Sequence, residues 1–102
     1  MKFKALVALG AVAIAGSVAA HAQQSQQLSI ATGGTGGVYY PMGGGFGSIL
    51  GKTIPGMTAT AQVTGGSVAN LQLIGSNKAD LCFSQVDAAW DAINGTGKFT
   101  SG

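Results

Sequence analysis

The sequence predicts an α/β fold in which a mainly parallel sheet is built in βαβαβα order. Short apolar segments typical of strands occur three times, and each is followed by a segment with helical spacing of its apolar residues. A polar or Gly-rich turn opens each predicted helix. Strands that alternate with helices along the chain pair in parallel through right-handed crossovers, so all three strands are expected to share one sheet.

The first predicted strand covers residues 28–32, where apolar and polar residues alternate. It leads into a Gly-rich turn at residues 33–37, where the backbone can take a positive φ and approach a ligand closely. A helix is predicted over residues 38–52, with Pro41 in its first turn. The glycines at positions 43, 44, 45 and 47 each disfavour a helix by up to about 1 kcal/mol, so we expect tight packing through them. Its apolar face is predicted to contain Met42, Phe46, Ile49 and Leu50.

The second and third strand–helix pairs follow the same pattern. Residues 57–63 alternate, with Met57, Ala59, Ala61 and Val63 on one face of the predicted strand. Ser67 is the predicted N-cap of the second helix, because its hydroxyl can accept a hydrogen bond from a first-turn N–H. The third strand is predicted at residues 80–83 and the third helix at residues 84–94, ending before Gly95.

The N-terminal segment has the three parts of a secretory signal peptide. Lys2 and Lys4 precede an uncharged apolar run at residues 5–18, and the small-x-small triplet at residues 20–22 follows. A transmembrane anchor needs about 20 apolar residues, which is more than this run provides. We therefore expect residues 1–22 to be a signal peptide and residues 23–102 to be periplasmic, without membrane insertion after cleavage.

Charge and side-chain chemistry exclude several functions for residues 23–102. Three lysines balance three aspartates there and the chain contains no arginine, which argues against a nucleic-acid partner. Ser67 has no histidine base, because His21 leaves with the signal peptide. Cys82 lies between apolar neighbours and is expected to be an unreactive, buried thiol. Asp87 and Asp91 are four residues apart and are expected to form a solvated helix face. We expect no metal and no cofactor.

The carboxyl ends of the three predicted strands form the candidate binding site. In parallel sheets ligands bind beyond these ends, here the turns at residues 32–39, 64–70 and 84–87. Each turn opens a helix, and helix N-termini attract anions through free N–H groups and the helix dipole. The alternative is that the glycines only make turns and that Ser67 only caps a helix.

Three segments resemble the solute-binding subunits of TRAP transporters of the TAXI type: residues 30–41, 64–71 and 79–87, in the same order as in that family. The resemblance implies a periplasmic-binding-protein-like fold (type II) with two lobes that close around a solute. Residues 23–102 are then the N-terminal part of lobe one. Because the family's members are longer, we expect this part alone to bind solute weakly or not at all.

The resemblance also implies a ligand, a partner and a set of site residues. The ligand is a small carboxylate or amino acid, such as glutamate or a related dicarboxylate, which is delivered to the TRAP membrane permease. Asp87 suits this site only if it meets an ammonium group. The implied ligand-binding residues are Gly34, Thr35, Gly37, Tyr39, Ser67, Asn70, Gln85 and Asp87. An exported α/β enzyme with downstream catalytic residues, or a structural surface protein, stays open as an alternative.

Overall fold

The computed structural model describes residues 25–100, and the predicted βαβαβα order is confirmed within them. A short 3-10 turn, Gly97–Phe99, follows the last helix. The predicted signal peptide lies outside the described residues. In the described part of the chain, no helix combines the length and the apolar character needed to cross a membrane. The elements are β1 Gln26–Ala31, α1 Tyr39–Thr53, β2 Met57–Gln62, α2 Ser67–Gly75, β3 Leu81–Cys82 and α3 Val86–Asn94.

The three strands form one parallel sheet in the order β2-β1-β3, so the predicted fold class is confirmed. β1 pairs with β2 along its whole length, from Gln26 opposite Met57 to Ala31 opposite Gln62. β3 pairs with β1 only at its carboxyl end, through Ile30 with Leu81 and Ala31 with Cys82. The chain therefore enters the sheet in the middle. The crossover from β1 leads to β2 on one side, and the crossover from β2 leads back past β1 to β3 on the other side. This order creates a crevice at the carboxyl ends of β1 and β3.

The core lies around the end of the central strand, where Ile30 and Ala31 are buried. The alternation predicted for β2 is confirmed: Met57, Ala59 and Ala61 are half-buried, and the residues between them are exposed. Val63 lies beyond the end of β2 and is exposed. The burial is thus greatest at the end of the sheet where the candidate site was expected.

Helix α1 packs through glycines, and the apolar face predicted for it is only partly right. Leu50 is half-buried, and Phe46, although 44% exposed, borders an apolar pocket with Ile30 and Phe83. Met42 and Ile49 are 51% and 61% exposed, whereas Gly43 and Gly47 are buried. A Cβ atom added to Gly47 would lie 2.5 Å from the carbonyl oxygen of Ala59 in β2. The helix lies so close to the sheet that only glycine fits at these positions. Because glycine has no side chain, the backbone of the helix contacts the sheet directly. The expectation of tight packing through glycine is confirmed.

Helix α3 ends as predicted. Gly95 follows Asn94 in the left-handed conformation, with φ 65°, which suits glycine because it has no Cβ. Apolar residues that recur at helical spacing in α3 are largely exposed, among them Val86, Trp90 and Ile93. Helix α3 contacts α2 and the turn that follows it, and Ala89 and Ala92 border an apolar pocket together with Leu71 of α2.

Candidate functional site

The starts of the three helices that follow the strands border one cavity of about 490 Å³. This volume lies within the range of about 300–1,000 Å³ that is usual for small-molecule sites. Tyr39 is the first residue of α1, Gly66 and Ser67 lie at the start of α2, and Gln85 and Asp87 lie at the start of α3. The cavity therefore lies beyond the carboxyl ends of the strands, where three helices begin.

A single side chain connects all three loops beneath this cavity. The Nδ2 atom of Asn70 donates to the carbonyl oxygen of Thr32 at 2.6 Å and to that of Phe83 at 2.8 Å. Its Oδ1 atom accepts a hydrogen bond from the hydroxyl of Thr64 at 2.5 Å. Asn70 is 0% exposed, so its amide takes the place of water for two backbone carbonyls that strand pairing leaves free and for one side-chain hydroxyl.

Further hydrogen bonds hold the first two loops together. The Thr64 amide donates to the Gly33 carbonyl at 3.2 Å, and the Thr32 hydroxyl donates to the Gln62 carbonyl at 2.5 Å. The Thr64 hydroxyl also accepts a hydrogen bond from the amide of Gly66 at 3.1 Å. The predicted strand-end turns are thus hydrogen-bonded to one another at the edge of the sheet.

Ser67 joins the second loop to the third instead of capping its own helix. Its hydroxyl oxygen accepts a hydrogen bond from the Gln85 amide at 2.9 Å. The predicted N-cap role of Ser67 is wrong, because Gly66 is the N-cap residue and no side-chain hydrogen bond caps this helix. Gly66 has φ 104° and ψ −155°, a conformation that glycine adopts readily and other residues rarely do. The turn at Gly66 places Ser67 in the first turn of α2, within reach of the third loop.

An aromatic pair joins the first loop to the third. The rings of Tyr39 and Phe83 stack with their centroids 5.4 Å apart and an interplanar angle of 23°. Such pairs contribute about 0.5–1.5 kcal/mol beyond the burial of their area. Tyr39 also borders the cavity, so the stack gives the cavity an ordered aromatic wall.

The cavity contains charges of both signs. Asp87, Asp91 and Lys98 all border it. The carboxylate of Asp87 accepts a hydrogen bond from the amide of Ala88 at 2.8 Å, and that of Asp91 accepts one from the Thr96 hydroxyl at 2.7 Å. Each carboxylate retains acceptor capacity for a further donor, because an ionised carboxylate offers about four lone-pair sites. The cavity can therefore present both acceptors for a cation and donors for an anion.

The eight residues predicted to bind ligand fall into three groups. Tyr39, Ser67, Gln85 and Asp87 border the common cavity. Asn70 lies buried beneath it, with its side-chain amide bonded to protein groups. The remaining three lie exposed on the first loop, just before the start of α1, and do not border the cavity: Gly34, Thr35 and Gly37. Ligand contact by any of the eight stays a prediction.

Sequence reasoning missed Asp91 and Lys98 as cavity residues. The spacing of Asp87 and Asp91 was the available signal, because residues four apart lie on the same face of a helix. Asp87 is exposed and Asp91 half-buried, and both also border the cavity shared with the second loop. Lys98 reaches the cavity through the turn after α3, in which Gly97 takes a φ of 56° beside the carboxylate of Asp91.

Cys82 is half-buried in β3, and burial raises the pKa of its thiol. A raised pKa keeps the thiol protonated and weakly nucleophilic, as expected for a structural cysteine. Within residues 25–100, no cluster of three or more His, Cys, Asp or Glu side chains is placed to hold a metal ion.

The parallel sheet and the cavity beyond its carboxyl edge define a partial periplasmic-binding-protein-like α/β domain. The chain belongs to the NMT1-like family, whose model matches residues 30–102. This family is periplasmic-binding-protein-like, and membership indicates a periplasmic solute-binding role. The matched residues include all three strand-end loops and every residue of the described cavity.

Proposed function

We propose that this chain is the first part of lobe one of an extracytoplasmic solute-binding receptor of the TAXI type. The receptor captures a small organic anion or amino acid and delivers it to the membrane permease of a TRAP transporter. One observation carries the proposal most directly: the N-terminal ends of three helices, each following a parallel strand, border a single cavity of suitable size. The resemblance of residues 30–41, 64–71 and 79–87 to TAXI-type subunits supports the choice of transporter.

Main-chain donors form the seat for the anionic group. The first backbone hydrogen bond of α2 runs from the Asn70 amide to the Gly66 carbonyl at 2.9 Å. The amides of Ser67 and Val68 precede it, so they lack an acceptor within the helix, and both residues border the cavity. The positive end of the α2 dipole adds to the attraction for a carboxylate. Lys98 adds a positive charge at the same cavity.

Asp87 and Asp91 favour an amino acid over a simple dicarboxylate as the solute. Both border the cavity, and two carboxylates repel a ligand that carries only negative charge. An α-ammonium group placed between them turns this repulsion into charge-assisted hydrogen bonds. The proposed solute is therefore zwitterionic, with its carboxylate at the start of α2 and its ammonium at α3. Hinge closure by the second lobe then encloses it, by shifting the population toward the closed form.

Asp87→Asn tests the ammonium contact in the full-length receptor. We expect its affinity for L-glutamate to fall about tenfold to a hundredfold, as for loss of a charged hydrogen bond of roughly 1.5–3 kcal/mol. Its affinity for glutarate, which has no ammonium group, should stay the same or rise. Isothermal titration calorimetry measures both. Asp80→Asn is the matched control, because Asp80 has the same charge but accepts a hydrogen bond from the Ser29 amide, away from the cavity. Equal losses for both solutes would contradict the ammonium assignment.

Tyr39→Ala tests the aromatic wall. We expect the affinity for L-glutamate to fall about tenfold, because the variant loses both the apolar wall and the stack that orders it. Tyr40→Ala is the control, since the neighbouring tyrosine does not border the cavity. Calorimetry below the unfolding temperature separates affinity from stability. If both variants bind like the wild type, the cavity is not the solute site. Recovery of a chemically altered solute would instead support the enzyme alternative.

A further inference from the structure

We infer that Asn70 is a positioning residue, which holds the three loops in the arrangement that accepts solute without touching the solute itself. This inference rests on the proposed function, because it concerns the same cavity. It assigns a different role to Asn70 from the ligand contact expected from the sequence. Three observations carry it: the hydrogen bonds of the side-chain amide, the position of its partners, and its complete burial.

The partners of Asn70 lie at equivalent points of the fold. Thr32 and Phe83 directly follow the last residues of β1 and β3, and Thr64 lies two residues beyond β2. These are the positions at which the strand ladders stop and the loops begin. One amide therefore connects the three points from which the walls of the cavity diverge.

Two of the three partners, Thr64 and Phe83, directly contact a residue that borders the cavity. The Thr64 hydroxyl, which donates to Asn70, also accepts the hydrogen bond from Gly66. The ring of Phe83, whose carbonyl accepts from Asn70, stacks on Tyr39. A change in the amide is thus transmitted to the second loop through Gly66 and to the aromatic wall through Phe83.

The chemistry of the amide suits this position better than other side chains of its size. Two carbonyl oxygens require two donors and one hydroxyl requires an acceptor, which is the set that a primary amide offers. A leucine would leave all three groups unpaired in a buried place. An aspartate carboxylate would face two carbonyl oxygens with no proton to donate, so burial and repulsion would raise its pKa above the ordinary range.

The Asn70→Asp variant of the full-length receptor tests the inference through its pH dependence. Near pH 5 the raised pKa keeps the carboxyl protonated, so it donates to one carbonyl and accepts from Thr64. Near pH 8 the carboxylate repels both carbonyls, and we expect an affinity for L-glutamate about tenfold lower, relative to the wild type at the same pH, than near pH 5. A variant-to-wild-type ratio that is the same at both pH values in folded protein would overturn the inference.

Hydrogen exchange gives a second readout that needs no solute. Near pH 8 the Asn70→Asp variant should lose protection at the amides of Gly66 and Gln85, compared with the wild type. Protection at Gln26, whose amide donates to the Gly56 carbonyl at the far end of the sheet, should be unchanged. Uniform loss at all three amides would indicate general destabilisation and contradict a positioning role. If the wild type binds no solute, the proposed function fails, while this exchange pattern still decides the role of Asn70.

Thr64→Val keeps the inference testable if Asn70→Asp does not fold. It removes only the hydroxyl that links Asn70 to the Gly66 amide and leaves both carbonyl bonds in place. We expect faster exchange at Gly66, unchanged exchange at Gln26 and a severalfold loss of affinity for L-glutamate. Wild-type exchange at Gly66 together with wild-type affinity would refute the proposed connection.

Discussion

Replacing Gly47 by alanine is expected to lower the free energy of unfolding by about 1–3 kcal/mol, the usual cost of overpacking. The added methyl group would lie 2.5 Å from the Ala59 carbonyl oxygen and 3.2 Å from its carbonyl carbon. These atoms belong to the backbone of β2 and cannot rotate away, so either α1 or the strand must shift. Urea unfolding followed by circular dichroism measures the loss.

Gly44→Ala is the matched control for Gly47→Ala. Gly44 lies in the same helix, is exposed, and has no atom within 4 Å of the added Cβ position beyond its local helix backbone. Alanine there should raise stability by up to about 1 kcal/mol, because it favours the helix over glycine. Opposite signs for the two substitutions are therefore expected. If both stabilise the protein, the close approach of α1 to the sheet is incorrect.

Gly66→Ala is expected to cost about 1–3 kcal/mol of stability and to weaken solute binding. The cause is backbone strain, because φ at Gly66 is 104° and no neighbouring atom crowds the added Cβ. A loop that relaxes this strain moves the first amides of α2, which form the proposed anion seat. The affinity for L-glutamate should therefore fall along with the unfolding temperature.

Gly65→Ala is the control that distinguishes backbone strain at Gly66 from the effect of replacing any glycine in this loop. Gly65 borders the same cavity, but an added Cβ would lie 3.7 Å from the Cβ of Ala69, an ordinary contact. We expect a near-wild-type unfolding temperature and affinity for this control. Thermal unfolding and calorimetry of the two variants, side by side, test the role of the positive φ. Equal effects at both positions would show that the backbone angle is not the cause.

The order of elements was predictable because each element leaves a local pattern in the sequence. The alternation from Met57 to Ala61 reports a strand with one covered face, and Gly95 marks the end of a helix. The parallel sheet follows from the alternation of strands and helices. Local patterns of this kind depend only on neighbours within a few positions, so they can be recognised without knowledge of the tertiary structure.

The contact face of α1 could not be predicted from apolar spacing. Hydrophobic periodicity assumes that side chains make the contact, but Gly43 and Gly47 allow the backbones themselves to approach. The same spacing rule therefore selected Met42 and Ile49, which face away from the sheet and are exposed. The number of glycines was a valid signal of close packing, although it did not indicate which of them would be covered.

The location of the candidate site was predictable from the sequence, but its hydrogen-bond network was not. The rule that ligands bind beyond the carboxyl ends of parallel strands selected Tyr39, Ser67 and Gln85, which border one cavity. The bonds of Asn70 reach partners 38, 13 and 6 positions away along the chain, and no local pattern encodes such pairs. Ser67 looked like a cap for the same reason, since its partner in the third loop is remote in sequence.

A recognition surface made from peptide groups has an evolutionary consequence. Amino-acid replacement cannot delete a main-chain N–H, except by proline, so the proposed carboxylate seat at Ser67 and Val68 tolerates drift in the surrounding side chains. Selectivity can then diverge through peripheral positions such as Asp87 while the common seat persists. Descendants of one ancestral receptor could in this way acquire new cargoes by single substitutions, without rebuilding the fold.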